Sequence, residues 1–556
     1  MKKLLSLLVL MTISASLWAV EAVIDGIKYD VIKVGKKATV LKNGYSGEVI
    51  IPETIVYDGV ECKVTGIGDY AFEYSKATYV YLPDNVTEIG KDVFRSSSNL
   101  VKVRLGNNIQ VIGNGMFQSC GKLEEINLPA GLTEIGQYAF EYCNGLTSLD
   151  MPNSLQTIGN YAFAYCKGLT TLNFLEGMRT IGSYAFYGCT NLSTVTFENG
   201  VTTLGDRVFY STGLKKVKIP NTVTTMGDYV FANCSELFAA EIGSGMTTLP
   251  NHTFENCTAL MSVRLREGIT KIGYSAFYAC SDLEVILLPS SVTTIENSAF
   301  YNCSKLYNVG MKEGLTQIGS YAFRNCSALE FITIPNSVKT IEDYAFYNCG
   351  KLGTVRIGSG ITSIESDAFS KCEELANVYC EATAVPEADY AFDEGVYIEY
   401  ATLHVPATSV AAYRATEPWS GFGTIVAIDG TPEPEQPVLE KCATPTISYA
   451  DNTVTFSCAT EGVSFVYDIK ISGAGSGIDN KVELRPTYSV SVYATKSGYE
   501  DSDTATETIS PTNNLKGDVD GDGEVDIADA VRIVNFVVGK IPALAPRNEN
   551  TIPNPE

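Results

Sequence analysis

Histidine, tryptophan and cationic charge are scarce in this sequence. Its 556 residues include two histidines and two tryptophans, and 40 Lys and Arg face 64 Asp and Glu, for a net charge of −24. We therefore expect neither a nucleic acid nor an anionic membrane as the main partner, because both require a cationic surface. The scarcity of histidine also leaves few bases for a serine or cysteine nucleophile.

Long apolar segments are absent beyond the N-terminus. Two lysines precede the apolar run of residues 4–10, and small or polar residues follow it. This pattern predicts a signal peptide over residues 1–19, with cleavage after Ala19 or Ala22. The run is too short for a stable membrane anchor. We therefore expect a protein exported to the medium or cell surface, without membrane insertion after cleavage and with the periplasm left open.

A phenylalanine recurs every 22 or 23 residues over most of the chain. Six residues after most of these anchors there is a leucine, and further apolar residues follow nine and eleven residues after them, as in a strand with alternating inward side chains. A fixed period of this length predicts a solenoid of stacked units. The anchors are Phe72, Phe94, Phe117, Phe140, Phe163, Phe186, Phe209, Phe231, Phe254, Phe277, Phe300, Phe323, Phe346, Phe369 and Phe392.

The rest of each unit also has a regular pattern. Proline, such as Pro129, often ends the strand because it lacks the donor that would extend a ladder. A second short extended segment follows, such as Leu132 to Gly136, and closes in a glycine turn. The segment Tyr138 to Cys143 is predicted to form a single helical turn with its alanine and phenylalanine inward. Stacking then buries an apolar side that one unit cannot bury alone.

These residues resemble the BspA-type (Treponema-type) leucine-rich repeat family of bacterial surface proteins. The resemblance implies a mainly β fold with short helical turns, and a secreted or surface-attached protein that binds protein, extracellular matrix or glycan ligands without enzymatic activity. The predicted organisation is an N-terminal β cap (23–63), about 14 repeats (64–392), a C-terminal cap (393–430) and a Pro/Glu linker (431–441), followed by a small β-sandwich (442–510), a calcium repeat (516–541) and a tail (542–556).

Most cysteines belong to the repeat. Eleven of the fifteen lie three residues after an anchor phenylalanine, and this slot is expected to be lost in the short repeat after Phe209. Stacking would bring equivalent Cα atoms within disulfide reach, but parallel side chains disfavour the bond. We therefore expect buried free thiols acting as small apolar residues, and no thiol-bound metal, since metal ligands must converge on one point.

The remaining candidates for catalysis are weak. His252 replaces the tyrosine found at this position in most repeats, and His404 falls in a capping strand, so both are interpreted as structural. Glu124 and Glu125 could form a glycosidase pair only across a cleft, and on one strand they are expected to form a solvated face. We therefore expect no catalytic residues.

Partner choice is expected to depend on the outward strand residues, which vary between repeats. A varied outward face is equally consistent with a binding surface and with a neutral solvated sheet. Lys215, Lys216 and Lys218 form a cationic stretch that could meet anionic glycans or simply be solvated. Further outward positions are Lys102, Arg104, Thr171, Asn173, Ser262, Arg264, Val285, Leu287 and Phe331.

The segment 442–510 has short alternating strands separated by turn residues, which predicts a small β-sandwich. Its stretch Tyr488 to Ser502 resembles the immunoglobulin-like module at the C-terminus of some bacterial hexosaminidases. That resemblance implies a spacer or carbohydrate-associated accessory module. Cys442 and Cys458 could pair or could both be buried.

The sharpest chemical motif lies near the C-terminus. Acidic residues occupy the positions of an EF-hand-like loop, the backbone carbonyl of the seventh position supplies a further oxygen, and Gly523 permits the sharp turn. The motif with its following helix (527–538) resembles a dockerin repeat, which implies calcium binding. The predicted ligands are Asp518, Asp520, Asp522, Glu524, Asp526 and Asp529.

Only one such repeat is present, whereas complete dockerins carry two, and this weakens the inference of docking to a cohesin-like receptor. Two functions follow as hypotheses. The first is adhesion or binding through the solenoid surface. The second is a non-catalytic accessory role in a polysaccharide-degrading system, to which the dockerin-like end would recruit the protein.

Calcium should bind the predicted loop weakly, with a Kd on the order of 10⁻⁴ M, as in extracellular modules. We expect EDTA to lower the helix signal of a 511–556 peptide in circular dichroism, and Asp522→Ala to abolish the response to added calcium. Asp501→Ala in the intact chain, outside the loop, should leave calorimetric calcium binding unchanged. A helix signal that does not change on titration would contradict the assignment.

Overall fold

The computed structural model describes residues 19–428, 441–450, 453–460, 463–472, 487–495 and 502–509. The chain divides into two units, residues 1–434 and 435–556. Nearly all of the predicted signal peptide, most of the Pro/Glu linker, the calcium repeat and the tail lie outside the described residues. The predictions made for those segments therefore remain predictions.

The first unit begins with six strands: β1 (Val20–Ile24), β2 (Ile27–Ile32), β3 (Lys37–Val40), β4 (Ser46–Ile50), β5 (Thr54–Tyr57) and β6 (Val60–Ile67). Strands β1, β2 and β3 form an antiparallel meander, and β6 joins it parallel to β3. Alternate residues of β2, including Tyr29 and Val31, are buried. This sheet covers the first coil of the array, which would otherwise expose its apolar end.

The array continues through twenty-six strands, most of which alternate between a longer and a two-residue type. They are β7 (Lys76–Tyr81), β8 (Glu88–Ile89), β9 (Lys102–Arg104), β10 (Val111–Ile112), β11 (Glu125–Ile126), β12 (Glu134–Ile135), β13 (Thr157–Ile158), β14 (Thr171–Phe174), β15 (Thr180–Ile181), β16 (Thr194–Phe197), β17 (Thr203–Leu204), β18 (Lys216–Lys218), β19 (Thr225–Met226), β20 (Ala239–Ile242), β21 (Thr248–Leu249), β22 (Ser262–Leu265), β23 (Lys271–Ile272), β24 (Val285–Leu287), β25 (Thr294–Ile295), β26 (Asn308–Gly310), β27 (Gln317–Ile318), β28 (Phe331–Ile334), β29 (Thr340–Ile341), β30 (Thr354–Ile357), β31 (Ser363–Ile364) and β32 (Asn377–Cys380).

Both strand types pair in parallel with their equivalents in the next coil. Strands β21, β23, β25, β27, β29 and β31 form one continuous short-strand sheet, and β28, β30 and β32 continue into the C-terminal cap. The register advances by one repeat at each step, so that Thr171 lies beside Thr194. The mainly β leucine-rich repeat solenoid predicted from the sequence is confirmed.

The segment predicted as a helical turn consists of consecutive turns instead. Tyr138 and Tyr142 both have positive φ, at 57° and 62°. The N–H of Phe140 donates to Ala162 O in the next coil at 2.7 Å, while the N–H of Cys143 donates to Phe140 O at 3.0 Å. A helix would satisfy all such donors within its own segment. Here every second donor points along the array and is satisfied by the next coil.

The anchor phenylalanines form one unbroken column through the core. Each ring stacks on the next with centroids 5.0–5.7 Å apart. The rings from Phe72 to Phe369 are fully buried. Stacked pairs of this kind contribute about 0.5–1.5 kcal/mol beyond their buried area. The phenylalanine period is therefore the spacing of the coils.

The repeat cysteines are buried and free, as predicted. Each thiol donates to the carbonyl of an anchor phenylalanine in the preceding coil, as from Cys143 Sγ to Phe117 O at 3.1 Å. Across the eleven thiols these distances are 2.9–3.3 Å. The thiols thus also act as donors in the core, a role beyond that of small apolar residues.

The prediction that the short repeat loses this slot is wrong. Thr212 occupies it, is buried, and bonds to Phe209 O at 2.9 Å and to Cys234 Sγ at 3.1 Å. In the first coils the slot holds serine, and Ser97 Oγ donates to Phe72 O. The slot therefore selects for a small side chain with a donor, which serine, threonine and cysteine all provide.

The array ends in strands β33 (Thr402–Val405) and β34 (Thr424–Ala427), the helix α1 (Val410–Arg414) and two 3-10 turns (Ile398–Tyr400 and Trp419–Gly421). Trp419 and Phe422 pack edge-on against Phe392, with centroids 5.7 and 5.5 Å away. The Trp419 indole donates to Pro386 O at 3.0 Å. These rings cover the last member of the phenylalanine column.

The second unit contains an antiparallel pair, β35 (Thr446–Ala450) and β36 (Thr453–Ser457), and a three-stranded antiparallel sheet, β37 (Ser464–Ser472), β38 (Thr487–Thr495) and β39 (Ala505–Ile509). The strands lie where alternation predicted them, while the immunoglobulin-like assignment stays a prediction. Neither Cys442 nor Cys458 forms a disulfide, and Cys458 Sγ donates to Ala443 O at 3.0 Å.

Alkaline pH should destabilise the array through its thiols. Burial raises the pKa of Cys120 to about 12 and that of Cys234 to about 11 from the usual 9.0. The unfolded chain therefore loses protons near pH 9 while the folded chain keeps them. The free energy of unfolding should be independent of this effect below pH 9, and above it should fall by about 1.4 kcal/mol per pH unit for each buried thiol.

Urea unfolding between pH 7 and 10.5 measures this slope. The variant Cys257→Ser/Cys280→Ser keeps a donor at both slots but removes two titrating groups, so its slope should be shallower than that of the parent. Equal slopes for the two proteins would show that these thiols do not govern alkaline stability.

Candidate functional site

The six predicted calcium ligands, Asp518 to Asp529, lie outside the described residues. Within the described ranges, no group of three or more His, Cys, Asp or Glu side chains converges as a metal site would require. The candidate binding surfaces among the described residues are therefore the outer faces of the array.

Both histidines have structural positions, as predicted. His252 stacks on Tyr229 with centroids 4.0 Å apart, and its Nδ1 lies 2.6 Å from Glu255 Oε2. His404, on β33, stacks on Tyr379 with centroids 4.1 Å apart. Each imidazole thus fills a place in a column of stacked rings.

The carboxylate pair Glu124 and Glu125 also lies where the sequence predicted. Both side chains are exposed on or beside β11. Glu125 forms an ion pair with Lys102 of β9 at 2.5 Å. The two carboxylates are adjacent on one coil and do not face each other across a cleft, so the arrangement does not suit the two-carboxylate chemistry of a glycosidase.

The outward residues of the longer strands form a regular surface, which we call the strand face. The side chains predicted to point outward are all exposed or half-buried, while those between them, such as Val263 and Ile286, are buried. Because backbone and core repeat from coil to coil, outward positions can change without altering the scaffold. On β7 they are Tyr79 and Tyr81, and in the rest of the first half of the array they are polar: Lys102, Arg104, Glu125, Asn127, Ser148, Asp150, Thr171, Asn173, Thr194 and Thr196.

The second half of the strand face has a different composition. Val285 and Leu287 on β24 and Phe331 on β28 are half-buried outward residues. A Cβ placed on Gly310 would lie 2.7 Å from Leu287 Cδ2, so the leucine side chain lies over the neighbouring strand. Three residues that immediately precede strands add further apolar surface: Phe238, Met261 and Tyr307. Sequence reasoning missed these three, although their recurrence seven residues after an anchor could have revealed them.

Cations border this apolar region. Lys215 and Lys218 are exposed on and beside β18. The pairing of β18, β20 and β22 places Lys218 beside Glu241 and Glu241 beside Arg264. Glu241 is only 4% exposed, and the guanidinium of Arg266 donates to it, which compensates its buried charge. The lysine stretch noted in the sequence thus lies at the edge of the apolar region.

A second surface is formed by the turns and was not predicted. Tyrosines two residues before, and one or two after, the anchor phenylalanines stack between coils, as in Tyr138 on Tyr161 and Tyr161 on Tyr184, with centroids 5.1 and 4.5 Å apart. Arg207 takes the next place, and its Nη1 donates to the Tyr184 hydroxyl at 2.9 Å. We call this surface the tyrosine ladder. Its signal in the sequence was the tyrosine at a fixed offset from each anchor.

Arg324 is the most enclosed cation of the ladder. Its guanidinium lies 4.4–5.8 Å from the ring centroids of four tyrosines: Tyr301, Tyr321, Tyr344 and Tyr347. Its Nε is buried without a hydrogen-bond partner among the described residues. The rings therefore supply the compensation for this charge through cation–π attraction.

Coiled parallel strands, a phenylalanine column and short turns together define a leucine-rich repeat solenoid. Residues 65–191, 179–307 and 293–413 match the family described as the BspA type leucine rich repeat region. These matches cover more than half of the chain, and the protein belongs to this family. Proteins of this repeat family and fold are generally non-catalytic, and leucine-rich repeat proteins generally bind protein ligands.

One of two similar solved structures supports the same fold. A leucine-rich repeat protein from Bacteroides ovatus is 26% identical, with a TM-score of 0.51, over 67% of this chain and 98% of that one. A leucine rich cell surface protein from Faecalibacterium prausnitzii is 25% identical over 65% of this chain and 94% of its own, with a TM-score of 0.38. No curated protein matches the chain. None of the helices in the described ranges is long and apolar enough to cross a membrane.

Removing the Arg324 guanidinium should destabilise the tyrosine ladder. We expect Arg324→Gln to lower the free energy of unfolding by roughly 1–2 kcal/mol, because several cation–π contacts to partly desolvated rings are lost. Arg95→Gln is the matched control, since Arg95 takes the same place after its anchor but is exposed between Glu73 and Gln118. Urea unfolding of the three proteins gives the comparison, and equal losses in both variants would contradict a role for the rings.

Proposed function

We propose that this protein is an exported, surface-associated binding protein that docks partner proteins on the strand face of its array. The observation that carries the proposal is the contrast between fixed core positions and varied outward positions. Phenylalanine, leucine and cysteine recur at each core place, whereas the strand face changes from Thr171 and Asn173 to Val285 and Leu287 at equivalent places. A scaffold of this kind leaves partner choice to its outward residues.

Several features support export and the absence of catalysis. The N-terminal sequence has the pattern of a signal peptide. The net charge of −24 suits a soluble exported protein and argues against nucleic acid as partner. The histidines are held in ring stacks, and the exposed carboxylates of Glu124 and Glu125 face no opposing acid, so the array is suited to binding and not to turnover.

A second candidate function rests on the C-terminal motif. The acidic residues from Asp518 to Asp529 would hold one calcium ion, and the dockerin-like repeat would recruit the protein to a cohesin-like receptor of a polysaccharide-degrading system. In that role the immunoglobulin-like module would act as a spacer. The motif in the sequence favours this candidate, and the binding surfaces of the array are compatible with it.

A binding screen with residues 20–430 separates the two candidates. We expect this part of the chain to bind members of a panel of extracellular-matrix proteins with micromolar or tighter Kd in biolayer interferometry, and to show little signal on a glycan array. Residues 435–556 serve as the control and should not bind the matrix panel. Binding confined to plant or microbial polysaccharides would favour the accessory role, and turnover of any glycoside would contradict a non-catalytic array.

A further inference from the structure

The apolar side chains in the second half of the strand face are the feature that the repeat architecture does not explain. We define the apolar patch as Phe238, Met261, Val285, Leu287, Tyr307 and Phe331. At positions equivalent to Val285, Leu287 and Phe331, the first half of the array carries Tyr79 and Tyr81 on β7 and then polar residues such as threonine and asparagine on the same backbone. The fold therefore tolerates polar side chains at these positions, and the core does not require apolar ones.

The patch residues are not a second core. The inward neighbours Ile286 and Ile332 are fully buried, while Val285, Leu287 and Phe331 are half-buried and Met261 is 44% exposed. Strand alternation places these outward residues on the opposite side of the sheet from the phenylalanine column. Apolar side chains clustered on the outer side of a sheet are typical of an interaction site.

Register joins the patch to charged groups of defined sign. Backbone hydrogen bonds link Lys215, Phe238 and Met261 in successive coils, from Phe238 N to Lys215 O and from Met261 N to Phe238 O. Lys215 and Lys218 lie one coil before the patch, and both are exposed cations. Along the same row, Glu284 and Glu330 alternate with the apolar residues. The charge thus changes from positive at β18 to negative towards β28.

At the β30 end of the patch, the cation Arg356 is already paired with a carboxylate. Arg356 on β30 lies 4.7 Å from the Tyr379 ring centroid and donates to Glu381 at 2.8 Å. On the near side, Arg266 and Glu241 form a similar pair. The exposed lysines that a ligand would meet, Lys215 and Lys218, lie at the β18 end, while Arg264 on β22 is half-buried.

From this arrangement we infer that the apolar patch is the docking site for a segment of a partner protein that carries apolar side chains and, at one end, carboxylates. The apolar side chains contact Leu287 and Phe331, and the carboxylates face Lys215 and Lys218. The inference rests on the proposed function and assigns it to one part of the strand face. The mixture of aromatic and aliphatic side chains in the patch, with methionine among them, suits the apolar centre of a protein interface.

The test uses the chain from residue 20 to 556 and peptides selected on it from a random 12-residue phage-displayed library. Selected peptides should combine aromatic or aliphatic residues with Asp or Glu near one end. Their Kd should rise at least about tenfold, or 1.4 kcal/mol, with Leu287→Asp and with Phe331→Asp. The matched controls Asn173→Asp and Thr171→Asp, at the equivalent polar positions, should change Kd by less than about twofold.

Charge reversal tests the orientation. Lys215→Glu/Lys218→Glu should weaken the same peptides about three- to tenfold and reduce the salt dependence of binding. Circular dichroism and thermal melts identify any variant that fails to fold, and the milder Leu287→Ser then replaces Leu287→Asp. Selected peptides that bind all patch variants as tightly as the parent would overturn the inference, as would selections without carboxylates and without salt dependence.

Two results separate this inference from the proposed function. If matrix proteins bind the array and the patch variants bind them equally well, the array binds proteins but at another surface, and the inference fails alone. If no matrix protein binds but selected peptides require Leu287 and Phe331, the patch assignment stands and the matrix hypothesis fails.

Discussion

Contact between successive coils, repeated about every 5 Å along the array, holds this protein together. At each step the N–H groups around an anchor phenylalanine donate to the next coil, its ring stacks on the next ring, and a thiol donates back to a carbonyl of the preceding coil. Each coil is incomplete alone, because half of its turn donors have no partner within it. Stability therefore depends on contacts between neighbouring coils. The β sheet before Phe72 and the rings of Trp419 and Phe422 supply these contacts to the first and the last coil.

Much of this arrangement could be predicted because each core position accepts few residue types. The phenylalanine period, the inward leucines and the free thiols follow from repetition alone, since a residue that recurs in phase must occupy one kind of place. The turn at Tyr138 could not be predicted, because a six-residue segment with inward alanine and phenylalanine suits a helical turn equally well. Its left-handed tyrosines leave no compositional signal. Thr212 was missed for a different reason, because the short repeat shifts the pattern. The equivalence of threonine and cysteine at this slot becomes evident only from the hydrogen bond between the Thr212 hydroxyl and Cys234.

The candidate binding surfaces were partly predictable. Alternation identified which strand residues face outward, including Val285, Leu287 and Phe331, but the strand entrances at Phe238, Met261 and Tyr307 required the bend that precedes each strand. The same regularity gives the two surfaces different characters. Many rings of the tyrosine ladder stack on one another or pack against Arg207 and Arg324. On the strand face Met261 is exposed and Val285, Leu287 and Phe331 are half-buried, so a partner has more to contribute there.

The left-handed residues of the turns limit what this protein can vary. Two places in most coils have positive φ, and they hold tyrosine, asparagine, serine or aspartate far more often than branched residues. Valine or isoleucine at such a place would carry a steric penalty at the backbone itself. Only a few residue types can therefore replace one another at these turn positions. The outward strand positions, by contrast, accept almost any side chain. The backbone alone thus directs diversification to one side of the array, and a lineage of such proteins can acquire new partners there without changing how its coils fold.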